Sequence, residues 1–143
     1  MVTPSAERNV EIIRRGFEAF DAGDVETVLA FLDEEVEIYT APGLINTGTY
    51  RGRDGFLRWL RQWLEAWEDY EAEPAELAAV GDSHVLVTVH QNARGAGSGV
   101  AVEMDAYWAF EVRGERMSRI ALYPDRAQAL AAIEGWRGER SRA

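Results

Sequence analysis

The residues of this chain best suited to acid–base chemistry lie in one alternating segment, Val85 to Arg94. Thr88, His90 and Asn92 occupy every second position there, so they share one face if the segment is a strand. An imidazole titrates near neutral pH, and it can act as a base where apolar surroundings disfavour its charged form. His90 is therefore the candidate catalytic residue, with Thr88 and Asn92 available to orient a substrate or a water.

The sequence does not predict a metal or cofactor site. His84 and His90 are six residues apart, roughly 20 Å along a strand, so they cannot bind one ion together. The chain has no cysteine, which excludes disulfides and thiol catalysis as well as cysteine-based zinc sites. The segment Gly95 to Gly99 is rich in glycine, but a dinucleotide-binding loop needs a helix after it, and a strand is predicted there. We expect no metal and no cofactor.

The composition is that of one acidic domain. The chain has 143 residues, 47% of them hydrophobic, and a formal net charge of −10. A negative field of this size repels phosphate backbones, which argues against nucleic-acid binding. There is no apolar run of about 20 residues for a membrane span and no signal peptide, so we expect a cytoplasmic protein that does not enter a membrane.

Hydrophobic periodicity predicts the element order α-α-β-α-β-β-β-β-α. Thr3 caps the first predicted helix, Asp24 caps the second, and a third runs from about Asp54 to Asp69. The predicted strands are residues 36–40, 77–80, 85–94, 100–112 and 117–123. Residues 42–53 and the acidic stretch up to 76 are predicted as loop. A last helix ends near Gly135, and the tail 136–143 is expected to fray.

Three segments in this order, EAFDAGDVETVLAFLDEEVEIYTAPG, GRDGFLRWLRQW and VEMDAYWAFEVRGERMSRIALYPD, precede the closing helix. They resemble the SnoaL-like branch of the nuclear transport factor 2-like superfamily, across about residues 8–134 of a single domain, 1–143. Ketosteroid isomerases, polyketide cyclases and limonene epoxide hydrolases are relatives. The resemblance implies an α+β, cystatin-like fold, in which a curved antiparallel sheet wraps around helices as a cone. It also implies an apolar pocket at one end and a homodimer formed through the outer face of the sheet.

The resemblance argues against one known mechanism. Ketosteroid isomerases use a tyrosine and two aspartates in an apolar cavity. The matching positions of this chain hold Gly16, Thr40 and Trp108, so steroid isomerisation by that mechanism is not expected.

Two predictions remain for the direction of His90. Alternation alone puts Val85, Val87 and Val89 in the core and turns the histidine to water. The resemblance instead puts His90, with Thr88 and Asn92, on the pocket side. The sequence does not decide between them, and it leaves the directions of Arg119 and Tyr123 open as well.

Several large aromatic residues with a few polar ones are typical of a small-molecule pocket. The predicted ligand-binding residues are Phe17, Phe20, Thr40, Trp59, Trp63, Thr88, Asn92 and Trp108. The ligand expected there is a small apolar organic molecule. One hypothesis is acid–base chemistry by His90, of isomerase, cyclase or hydrolase type, on a polyketide- or terpenoid-like ligand. The alternative is a non-catalytic module that binds a ligand or another protein.

Overall fold

The first two helices begin at the residues that the sequence predicts. The computed structural model describes residues 3–42, 44 and 47–142 of the chain. Helix α1 (Pro4–Asp21) begins after Thr3, whose hydroxyl accepts a hydrogen bond from a backbone N–H of the first turn. Helix α2 (Val25–Ala30) begins after Asp24, whose carboxylate does the same. A tight turn at residues 22–24 joins the two helices into a helical hairpin.

Six strands form one curved, open sheet in the order β2-β1-β6-β5-β4-β3. The strands are β1 (Leu32–Thr40), β2 (Gly48–Arg51), β3 (Trp67–Val80), β4 (His84–Gly95), β5 (Ala101–Arg113) and β6 (Arg116–Tyr123). Strands β1 and β6 pair in parallel, whereas all other neighbours are antiparallel. The fold is therefore the predicted α+β arrangement, with one parallel pair in the sheet.

The sequence prediction misses β2 and most of β3. Strand β2 lies within the predicted loop 42–53, of which residues 43, 45 and 46 lie outside the described residues. Helix α3 (Gly52–Ala66) ends before Trp67, whose backbone is already extended, so the predicted helix to Asp69 is too long. The acidic stretch that follows is not a loop, because it pairs with β4 as an edge strand.

The inner face of the sheet carries the main core. Val85, Val87 and Val89 of β4 are fully buried there, as are apolar side chains of α1 and α3. Because side chains alternate along a strand, the residues between these valines lie on the outer face. A second, smaller core forms on that face around Leu86 and Ile133.

Helix α4 (Arg126–Arg142) covers part of the outer face. The sequence predicts that this helix ends near Gly135, but it continues through Arg142; residue 143 lies outside the described residues. Trp136 holds the added turns in place, since its ring stacks on His84 at a centroid distance of 6.0 Å. Among the described residues, no helix is both long and apolar enough to span a bilayer.

Candidate functional site

An apolar cavity of about 50 Å³ lies where α1 and α3 meet the inner face of the sheet. Four of the residues predicted to bind a ligand line it: Phe17 and Phe20 of α1, Trp59 of α3 and Trp108 of β5. None of the described residues around this cavity carries an ionisable side chain. A site of this kind favours an apolar molecule and offers it no acid or base.

Stacked aromatic rings fix the shape of the cavity. Trp108 packs against Phe17 at a ring-centroid distance of 5.2 Å and meets Trp59 edge to face at 6.5 Å. Trp59 also donates a hydrogen bond from Nε1 to the hydroxyl of Thr40, at 3.1 Å. Thr40 is fully buried, so this bond satisfies its hydroxyl behind the cavity wall. The predicted ligand residue Thr40 therefore holds Trp59 in position.

A cleft of about 210 Å³ leads from the surface toward this cavity. Phe20, Val28 and Phe56 border both spaces, so they form the partition between them. Asp21 and the half-exposed Leu64 lie among the residues that line the cleft.

Thr88, His90 and Asn92 do not line the cavity. They alternate with the buried valines of β4 and point to the outer face, as hydrophobic alternation predicts and the resemblance does not. The valines are in the main core because α1 and α3 cover that face of the strand. These three residues therefore lie away from the inner cavity, and their role in binding or catalysis stays a prediction.

On the outer face, His90 interacts with acidic neighbours. Its Nδ1 lies 2.8 Å from a carboxylate oxygen of Asp105, and its Nε2 lies 3.2 Å from one of Glu103. The hydrogen bond with Asp105 raises the pKa of the imidazole above its usual value. An open groove at the β3 edge borders His90 and also touches Glu18 of α1. Both ring nitrogens thus face carboxylates at a partly exposed position.

Tyr70 and Gln91 form a buried polar pair that the sequence does not predict. Gln91 of β4 donates a hydrogen bond from Nε2 to the hydroxyl of Tyr70, at 2.6 Å. Burial raises the pKa of the phenol, so it stays protonated. Gln91 follows the alternation of the buried valines, which is a signal for its direction. Tyr70 has no such signal, because the part of β3 that contains it is predicted as a loop.

A second buried polar pair lies beneath α4, away from the cavity. His84 and Glu111 are each only 2% exposed, with His84 Nε2 3.4 Å from Glu111 Oε2. His84, then Ser118 and Arg119, stabilise the carboxylate and lower the pKa of Glu111 to about 2. Arg119 points to the outer face and lies over the Trp136 ring, 5.5 Å from its centroid. Tyr123 points the same way, toward Tyr39.

The residues described by the structure contain no cluster of three or more histidine, aspartate or glutamate side chains that could hold a metal ion. Trp63 is also absent from the inner cavity. It stacks on Trp59 at 5.3 Å, as the helical spacing predicts, but lines a different pocket nearer the end of α3. The candidate site is thus the inner cavity with its cleft.

The family model described as "SnoaL-like domain" matches residues 13–120, which is most of the chain. The chain belongs to this family. No similar protein is found among those of curated function.

Several solved structures share the fold of this SnoaL-like domain. An NTF2-like protein from Burkholderia xenovorans LB400 is 26% identical, with a TM-score of 0.71 over 88% of this chain and 95% of that one. TerC, co-crystallised with polyporic acid, is 21% identical, with a TM-score of 0.74 over 89% and 98%. SalBIII, an epoxide hydrolase/cyclase-like enzyme of pyran ring formation in salinomycin, is 17% identical, with a TM-score of 0.68 over 82% and 90%. These identities, mostly below a quarter, establish the common fold.

Proposed function

We propose that this SnoaL-like domain binds a small, predominantly apolar organic molecule in the inner cavity and its cleft. The observation that carries the proposal is the cavity wall, built from aromatic and aliphatic side chains with no ionisable group among the described residues. Apolar cavities of this kind stay dry and take up apolar ligands. The inner cavity and cleft have volumes of about 50 and 210 Å³, so one- or two-ring molecules fit better than a steroid.

The positions used by ketosteroid isomerases support binding without their chemistry. Gly16 and Trp108 line the cavity and Thr40 lies behind it, so the three positions do converge at one place. The side chains there supply no carboxylate and no phenol. His90, the sequence candidate for a base, lies on the other face of the sheet. Proton transfer therefore has no candidate group at the cavity wall.

A thermal-shift panel tests the proposal. Naphthalene, limonene, limonene oxide, progesterone and decanoic acid sample ring number, shape and charge. A ligand at about a hundred times its Kd stabilises a fold by roughly 2.7 kcal/mol, which corresponds to several degrees in Tm for a domain of this size. We expect shifts with the one- and two-ring compounds and none with decanoate, whose charge would be buried unpaired.

Matched variants locate the ligand. Val28 lies in the partition between cleft and cavity, whereas Val100 is 60% exposed in a distant turn. Val28→Phe fills the partition and is expected to abolish the ligand shift, while Val100→Phe leaves it intact. The proposal is wrong if no panel member shifts Tm, or if Val28→Phe binds as well as the unaltered protein.

Turnover of the bound molecule is a second candidate, favoured by the Tyr70 hydroxyl. Tyr70 borders the cleft and stays protonated, so it can donate a hydrogen bond to a substrate oxygen. The substrate oxygen that accepts this hydrogen bond determines the reaction class, because both opening an epoxide and cyclising onto a carbonyl need such a donor. Limonene oxide and a polyketide-like diketone, followed by mass spectrometry, test this. Loss of turnover in Tyr70→Phe with retained binding would support it, and absence of product from every ligand that binds would exclude it.

We also propose a homodimer formed through the outer face of the sheet. The half-buried rings of Tyr39, Tyr107 and Tyr123 lie on that face beside the area that α4 covers. Light scattering at several protein concentrations measures the mass, and Tyr107→Glu should shift a dimer to a monomer. A monomeric mass at all concentrations contradicts the proposal.

A further inference from the structure

A second pocket, of about 150 Å³, lies at the carboxyl end of α3, against the inner face of β3, β4 and β5. Trp63, Trp67, Tyr70, Gln91 and Met104 form its walls. Among the residues that the structure describes, this pocket and the inner cavity share none, and Tyr70 borders both this pocket and the cleft. It is therefore a space of its own.

Two indole N–H groups in these walls are buried without a hydrogen-bond partner among the described residues. They are Nε1 of Trp63, a side chain that is 3% exposed, and Nε1 of Trp67. Burial is the main influence on the pKa of Tyr70 and raises it, while the nearby N–H of Trp63 lowers it by a smaller amount. That N–H does not reach the Tyr70 hydroxyl with the geometry of a hydrogen bond. Buried donors in folded proteins are nearly always paired, so two orphans in one pocket indicate a missing acceptor.

The two other polar side chains that line the pocket are paired with each other. Gln91 donates a hydrogen bond to the hydroxyl of Tyr70, whose ring meets that of Trp63 edge to face at 5.6 Å. None of the described residues that line the pocket carries a charged side chain, and the chain has a net charge of −10. A carboxylate would therefore be repelled by the field and left without a counter-charge, whereas a neutral oxygen acceptor would not.

We infer that this pocket is a second binding site, for a neutral ring compound that carries a carbonyl or ether oxygen. The ring packs between the aromatic walls, and the oxygen accepts hydrogen bonds from the indole N–H groups of Trp63 and Trp67. An oxygen of this kind has two lone pairs, so one atom can satisfy both donors. This goes beyond the proposed function, because it uses a different pocket and depends on hydrogen bonding instead of apolar contact alone.

Indole N–H signals in a ¹H–¹⁵N NMR spectrum test the inference directly. The chain has five tryptophans, so five signals are expected, and Trp→Phe variants assign them. The probes are 1-indanone and indane, which share a ring system and differ in one carbonyl oxygen. We expect 1-indanone to shift the Trp63 and Trp67 signals downfield, and indane at the same concentration to leave them near their free positions.

Binding constants of the variants complete the test. Trp67→Phe and Trp63→Phe keep an aromatic wall and remove the donor, so each should weaken 1-indanone binding about five- to tenfold and barely change indane binding. Trp136→Phe, the same substitution beneath α4, should bind both probes like the unaltered protein. Trp67 is partly exposed, so its variant retains the fold even where Trp63→Phe does not.

Three results would overturn the inference. They are no 1-indanone binding up to its solubility limit, equal affinity in Trp67→Phe, and shifts confined to the Trp108 signal. The last of these would place the probe in the inner cavity and leave the proposed function standing. Conversely, Trp63 and Trp67 shifts in a protein that binds none of the apolar panel would support this site and contradict the proposed function.

Discussion

At the residue scale, the surroundings of Glu111 link its ionisation to the stability of the fold. Its side chain is 2% exposed, and its pKa is about 2 in the folded protein against 4.5 in a model compound. Because the pKa of this carboxyl group is lower in the folded protein than in the unfolded one, its ionised form stabilises the fold at a pH above the unfolded pKa. That stabilisation, on the order of 3 kcal/mol, is lost as the pH falls from about 4.5 toward 2.

Glu111→Gln should remove that pH dependence. The amide does not ionise, so we expect the variant to be less stable than the unaltered protein at pH 7 and to approach it at pH 2 to 3. Urea unfolding at a series of pH values measures the difference. Glu34→Gln, which alters an exposed carboxylate in β1, serves as the control and should leave the profile unchanged. Parallel profiles for Glu111→Gln and the unaltered protein would contradict this assignment.

His90 affects the stability of the fold in the opposite pH direction to Glu111. Its pKa is raised, chiefly by the hydrogen bond with Asp105. The stability that protonated His90 adds to the fold is therefore fully present below pH 6.5 and is lost as the pH rises through its folded pKa. Asp105→Asn should lower the pKa of His90 toward that of a free imidazole, as followed by NMR titration. Glu115→Gln, on a distant turn, is the control. A His90 titration that does not move in Asp105→Asn would show that the pair does not form in solution.

At the scale of elements, strands fixed by their own alternation could be predicted and the edge strands could not. In β5 every second residue is apolar, in β4 the same holds except at Gln91, and both strands lie close to their predicted positions. Strand β3 instead carries Glu68, Glu71, Glu73 and Glu76, residues that are depleted in strands. Its hydrogen bonds come from β4, and long-range pairing of this kind leaves little trace in local sequence.

The residues of the candidate site also differ in whether local sequence could place them. Phe17, Phe20, Trp59 and Trp108 could be placed at the cavity because each belongs to an apolar stripe or face. The direction of His90 could not, because both faces of β4 obey the two-residue period and only the packing of α1 and α3 decides between them. Tyr70 could not be found while its strand was hidden.

Helix α4 offers a test of where an element ends. A helix that stops at Gly135 would need the glycine as a cap, and alanine would destabilise it. In the continuous helix, a Cβ on Gly135 meets no atom within 4 Å, so Gly135→Ala should raise the free energy of unfolding by about 0.5–1 kcal/mol. Urea unfolding measures this. Gly23→Ala, at a φ of 73°, is the matched control and should destabilise. Destabilisation by Gly135→Ala would place the helix end where the sequence predicts it.

At the scale of the whole molecule, the net charge of −10 opposes the compact state. Salt screens this repulsion, since the Debye length falls from about 30 Å at 0.01 M to about 3 Å at 1 M. We expect the urea midpoint to rise between these two NaCl concentrations. A variant with Glu71, Glu73 and Glu76 changed to glutamine should respond less. A midpoint that falls with salt would mean that surface ion pairs outweigh the repulsion.

The acidic edge of β3 has a further consequence for how copies of the protein meet. An edge strand exposes unpaired backbone groups, on which the strand of another molecule can continue the sheet. The carboxylates of Glu68, Glu71, Glu73 and Glu76 stand along that edge in β3, which ends the strand order. Like charges on the facing edges of two copies repel each other, so these carboxylates oppose such pairing. Changing these four residues to glutamine should therefore let folded copies join edge to edge into ribbons, which light scattering would detect as a rise in mass.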